Sequence, residues 1–66
     1  MRRPKAEGYY AERHSDCIRA ISERHAQIVL TDVHFASQKV LGEALDAGWT
    51  LYDIQQAMNV LRLNWH

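Results

Sequence analysis

The chain has one cysteine, one proline, three glycines and no excess of either charge. The single thiol, Cys17, excludes an intrachain disulfide. It also suits a reducing cytoplasm, where the protein is expected to work. Eight Lys and Arg balance eight Asp and Glu, so the basic excess usual in general nucleic-acid binders is missing. Long apolar runs are missing too. None exceeds three residues, as at Ile28–Leu30, far below the roughly 18 residues of a membrane span. Arg2 and Arg3 are not followed by a hydrophobic segment, so neither a signal peptide nor a membrane partner is expected.

At 66 residues the chain is one domain or less. Such a chain buries a small share of its surface and is marginal alone. With no disulfide available, association with another chain is the simplest support. The charges are unevenly placed. Residues 1–24 carry Arg2, Arg3, Lys5, Arg13, Arg19 and Arg24 against Glu7, Glu12, Asp16 and Glu23, leaving +2. Residues 25–66 carry Lys39 and Arg62 against Asp32, Glu43, Asp46 and Asp53, leaving −2.

One break is strongly marked, over residues 47–50. Gly48 suits the left-handed residue past a helix end. Thr50-Leu51-Tyr52-Asp53 has the form of a capping box with Asp in its third place, and Trp49 with Ile54 would form a hydrophobic staple. A helix over residues 51–63 follows, with Leu51, Ile54, Met58, Leu61 and Trp65 on one seam widened by Ala57 and Val60. That spacing of three and four is the pattern of a packed helix. The stripe reads as core.

Before the break, residues 6–47 hold few helix breakers. Pro4 is tolerated in a first turn. At about 100° per residue, Tyr10, Ile18, Ile21, Ile28, Val29, Val33, Ala36, Val40, Ala44 and Ala47 share one broad face. Ile18, Val29 and Val40 recur every 11 residues, as do His14, His25, Ala36 and Ala47. Such a repeat keeps a stripe on one side of a nearly straight helix. The expectation is therefore one helix over about residues 6–47, on the order of 60 Å long, or a bent or broken one with Thr31-Asp32 at the break. The fold class expected is all-α: a single helical domain made of a long helix and a shorter antiparallel one.

The second helix, on the order of 20 Å long, would cover only Val33 to Ala47. The face of Tyr10, His14, Ile18, Ile21, His25, Ile28 and Val29 would stay open. Burying four such apolar side chains is worth roughly 1.5–3 kcal/mol each, so a homodimer closed through this face is expected. Leu30, Leu41 and Leu45 lie off it. Trp49, Tyr52 and Trp65 are the aromatics expected to meet another protein, since Trp and Tyr often anchor interfaces.

Candidate chemistry is sparse. His14 and Cys17 share a helix face, with His25 further along it. A zinc site from these would need two chains, so they read as interface histidines and a buried thiol, with no metal or cofactor. Cys17 could act as a nucleophile only with an activating base, and a chain this small rarely encloses a substrate cavity. No enzymatic activity is expected. Asp32 on the apolar stripe needs a partner: His25 of its own chain, His25 or an Arg of another chain, or a helix end that it caps. Arg2, Arg3 and Lys5, with Tyr9 and Tyr10 behind them, form a basic-aromatic tip that could touch nucleic acid. A solvated terminus is the commoner outcome. Arg13, Arg19, Glu12, Asp16, Glu23 and Arg24 read as a mixed solvated face, with Arg19 paired to Glu23.

The stretch Leu45-Asp46-Ala47-Gly48-Trp49-Thr50-Leu51-Tyr52-Asp53-Ile54-Gln55-Gln56-Ala57-Met58-Asn59-Val60 resembles the helix end, turn and helix of helix-turn-helix repressors and transposase arms. The resemblance implies a tight pair of helices. DNA binding is not carried over with it, because only Arg62 is basic among the residues that follow. The expected function is therefore a small non-enzymatic regulator or inhibitor that binds protein as a helical homodimer, of a size common among phage and mobile-element proteins. The alternatives are a nucleic-acid-associated protein using the basic N-terminus and a purely structural subunit.

Overall fold

The computed structural model describes residues 1–63. In that stretch the chain is all-helical, with α1 at Arg13–Val29, α2 at Ala36–Ala47 and α3 at Leu51–Leu61. Residues 1–12 form an irregular strap ahead of α1. α1 packs against both other helices, while α2 and α3 meet each other least.

The long helix expected over residues 6–47 is divided, and the break falls where Thr31 and Asp32 stand. Thr31 Oγ1 donates to the Ile28 carbonyl at 3.1 Å, and Asp32 Oδ1 accepts the Phe35 N–H at 3.1 Å. Both bonds offer the backbone an alternative to helical pairing, as Ser, Thr and Asp side chains often do. Lys39 Nζ sits 2.7 Å from Asp32 Oδ2, so Asp32 pairs forward with Lys39 and not with His25. The physical reason for the break is burial. A continuous helix would leave the Tyr10–Val29 face in water, whereas folding at residues 30–35 lays α2 and α3 over it. The molecule measures 32 × 19 × 15 Å, half the length of the single helix expected.

Cys17, Ala20, Ile21 and Ile28 of α1 meet Ala36, Val40 and Ala44 of α2, Trp49 of the turn, and Ile54, Ala57 and Met58 of α3 in one core. Small residues on α1 and α2 let the helices approach. Trp49 fills the end of the core at 2 % exposure.

The turn between α2 and α3 has the chemistry its residues call for. Gly48 adopts φ 108°, and the N–H groups of Gly48 and Trp49 return to the carbonyls of Leu45 and Ala44. Thr50 and Asp53 form the reciprocal capping box, Asp53 N–H to Thr50 Oγ1 at 3.1 Å and Thr50 N–H to Asp53 Oδ2 at 3.0 Å. Trp49 and Ile54, the expected staple, lie in the same core cluster.

The basic N-terminal tip is packed, not frayed. Trp49 Nε1–H donates to the Arg2 carbonyl at 2.9 Å. Pro4 lies against Gly48, Arg2 pairs with Glu23 at 3.5 Å, and Lys5 Nζ approaches Asp16 at 3.8 Å. Glu23 thus pairs with the strap and not with Arg19. No described helix is long and apolar enough to cross a membrane.

Candidate functional site

Arg13 is the hub of the molecule. It opens α1, yet its side chain is only 10 % exposed. Nη1 donates to the carbonyls of Ala6 and Gly8 at 3.1 and 2.8 Å. Nε and Nη2 donate to the Asp53 carboxylate, the shortest bond being Nη2 to Oδ2 at 2.6 Å. The guanidinium also lies 5.9 Å from the Tyr10 ring centroid and 5.6 Å from that of Trp49. One side chain therefore joins the strap, α1, the turn and α3. The planar fork of Arg is suited to this, because it can serve several acceptors in one plane.

Asp53 is correspondingly committed. The Arg13 hydrogen bond holds its carboxyl below the ordinary value, and the Thr50 N–H and hydroxyl act the same way against the opposing effect of burial. The same ion pair raises Arg13 further above its usual range.

Beside this pair the surface opens. Tyr9 and Tyr52 flank a cleft of about 240 Å³ whose floor and walls include Arg13, His14, Asp53 and Gln56. Both tyrosines are strongly exposed, Tyr9 at 88 % and Tyr52 at 69 %. The rest of the outward face of α3 is uncharged: Leu51, Asn59 and Val60 are exposed, and Gln55 and Gln56 half-buried.

A second apolar surface lies at the joint between α1 and α2. Leu30, Val33 and Phe35 are 86, 65 and 56 % exposed within six residues of chain. The joint is braced by the Asp32 bonds to Phe35 and Lys39. These residues give the joint three exposed apolar side chains, here termed the ridge, on a held backbone.

The expected dimer face is largely used within the chain. Ile21 and Ile28 are buried in the core, so they are not available to a partner. Tyr10, Ile18, His25 and Val29 are half-buried and His14 exposed. Tyr10 is tied internally, accepting the Lys5 N–H and donating to Asp16, both at 3.2 Å. The correction has one cause: α2 and α3 now cover what a straight helix would have exposed.

Of the aromatics expected to meet another protein, Trp49 is buried and bonded to Arg2, whereas Tyr52 is exposed. Trp65 lies outside the described residues. In the basic tip, Arg2, Arg3 and Lys5 are exposed, with Arg2 and Lys5 facing Glu23 and Asp16. Cys17 is fully buried, and burial pushes its thiol up to about 12. Its Sγ lies 3.5 Å from the Asp53 carbonyl, as donor. A thiol so placed is almost wholly protonated at neutral pH and a poor nucleophile. Among the described residues no three His, Cys, Asp or Glu side chains are grouped to hold a metal ion.

Sequence reasoning missed Arg13 and the ridge. Nothing in the local sequence marks an arginine that will meet a carboxylate 40 positions later. Val33, expected on the buried face, is exposed together with Leu30 and Phe35, because the chain leaves the helix between Val29 and Ala36. No protein-family model, curated protein or solved structure matches the chain.

Proposed function

We propose that the protein is a small non-enzymatic regulator of the inhibitor type, which acts as a helical homodimer and docks onto another protein through the Leu30–Val33–Phe35 ridge. The carrying observation is that ridge: three large apolar side chains exposed together on a braced joint. A small protein that has buried a core of its own gains nothing from such a group in water. Each of the three would yield roughly 1.5–3 kcal/mol on full burial. Exposed apolar side chains of this kind fit a groove on a partner chain, where a few central anchors supply most of the binding energy. Arg2 and Lys5 already face carboxylates of the chain itself, so the nucleic-acid reading has less support.

The test places a photo-crosslinking residue at Val33 in the producing cell and identifies the captured chain. That chain, purified, should bind the wild-type protein and lose at least about tenfold affinity for Phe35→Ser, equivalent to 1.4 kcal/mol. Crosslinks to nucleic acid alone, or an affinity indifferent to Phe35→Ser, overturn the reading.

A further inference from the structure

We propose that the outer face of α3 seats a second copy of this chain across a twofold axis. This deepens the homodimer part of the function proposed above and does not depend on the target-binding ridge.

The face is unusual in its chemistry. Between Leu51 and Leu61 the only charged residue is Asp53, and its side chain is turned into the Arg13 pair at 12 % exposure. What faces outward is Leu51, Tyr52, Gln55, Gln56, Asn59 and Val60. An amphipathic helix on a protein surface presents charged or polar groups to water, and here the polar groups are amides alone, beside Leu51, Tyr52 and Val60. α1 and α2 present charges, with exposed Arg19, Glu23, Lys39 and Asp46. Charge depletion with a retained aromatic is the compositional mark of an interface centre.

The same chemistry selects a copy of itself as the occupant. Across a twofold axis a residue near the axis meets its own counterpart. A charged residue there would face a like charge. The amides of Gln and Asn each carry a donor and an acceptor, so they can pair with themselves. With the axis beside Gln56, two antiparallel α3 helices place Tyr52 of one copy over Val60 of the other. Tyr9 and His14 extend the contact from the strap and α1. A nucleic-acid duplex would instead require Lys or Arg around the face to neutralise phosphates, and none lies between Leu51 and Leu61.

The experiment is sedimentation equilibrium on the full chain, wild type beside Gln56→Glu and Gln56→Lys, then the two variants mixed. Gln56→Glu changes charge at nearly constant shape. Circular dichroism and melting confirm folding, and the pair Asn59→Asp with Asn59→Lys repeats the test should either variant unfold. The expected wild type is a dimer of the 7.7 kDa chain. Each variant alone should weaken the dimer at least about tenfold, and the mixture should restore it as a heterodimer. Phe35→Ser should leave it unchanged. A wild type monomeric at millimolar concentration overturns the inference, as do variants that dimerise unaltered or a mixture that fails to recover. Salt-dependent binding of a DNA or RNA duplex, abolished by Gln56→Glu, also overturns it. A monomer still crosslinked to a foreign protein at Val33 sinks the dimer alone. A dimer indifferent to Phe35→Ser with no such crosslink sinks the ridge alone.

Discussion

Arg13 and Asp53 stand 40 residues apart and meet at 2.6 Å with both side chains nearly buried. The pair ties α1 to the α3 capping box, and the other edge of the guanidinium holds the strap at Ala6 and Gly8. Truncating one member leaves the other charge buried without its partner, which costs about 3 kcal/mol or more. A domain this small has on the order of 3–10 kcal/mol in total. Arg13→Ala and Asp53→Asn are therefore expected to bring thermal unfolding far down, seen by circular dichroism. The double variant should cost less than the two single changes together. Strict additivity would show that the pair is not coupled.

Acid should unfold the protein through the carboxylates that the fold holds ionised. Asp53 and Asp32 are held below an ordinary 3.8 and Glu43 below 4.5, chiefly by hydrogen bonds from Arg13, Lys39 and Arg24. A lowered folded-state value means stability fully present above the ordinary one and lost as pH falls through the folded value. Stability is thus expected to be level in this respect from neutrality to about pH 5 and to fall below about pH 4. In Asp53→Asn the acid limb should be shallower. An acid limb of unchanged slope in that variant would remove Asp53 as a contributor.

Much of this fold is visible in the residues, and the rest is not for a definite reason. Gly48, Trp49, Thr50 and Asp53 announce their turn because its forces are local: a left-handed glycine and a reciprocal cap. Of the α3 stripe read as core, Ile54, Ala57 and Met58 are buried and Leu61 half-buried, whereas Leu51 and Val60 are 48 and 57 % exposed, because α1 and α2 cover only one side of this helix. The break after Val29 is different. Thr31 and Asp32 are compatible with either a helix interior or an end, and the choice is made by α2 and α3 covering Ile21 and Ile28. The strap is equally non-local, since Arg2 and Trp49 are 47 positions apart. Of the surface, the outer side of α3 was legible only at Tyr52, because Leu51 and Val60 share the spacing of the core stripe yet are exposed. The ridge was not, because its exposure follows from the break.

Two glycines, one inside α2 and one just past its end, should respond oppositely to alanine. Gly48 is at φ 108°, where a Cβ is strained by about 1–2 kcal/mol. Gly42 lies inside α2 with open space where a Cβ would stand, and Ala there is favoured by roughly 0.5–1 kcal/mol. For a domain of this size each kcal/mol moves the melting point by about 4–8 °C. Gly42→Ala should melt higher than the wild type and Gly48→Ala lower. A Gly48→Ala variant that melts no lower than the wild type would contradict the conformation assigned to Gly48, and a Gly42→Ala variant that melts lower would contradict the open space at Gly42.

Cys17 offers a direct reading of how the strap and α3 hold together. Its thiol is fully buried beneath the Arg13–Asp53 pair and donates to the Asp53 carbonyl. With its thiol raised to about 12, it should react with an aromatic disulfide reagent far more slowly than a free thiol at pH 7.5. Reaction then requires opening, so the labelling rate reports the open population. Loss of about 3 kcal/mol in Arg13→Ala should speed labelling by roughly two orders of magnitude. If opening is confined to the strap, deleting residues 1–8 should accelerate labelling with little loss of helical signal. If it requires α3 to leave, labelling and helical signal should change together across a urea titration. A wild-type thiol that reacts at the rate of a free one would mean that α1 and α3 do not enclose it in solution.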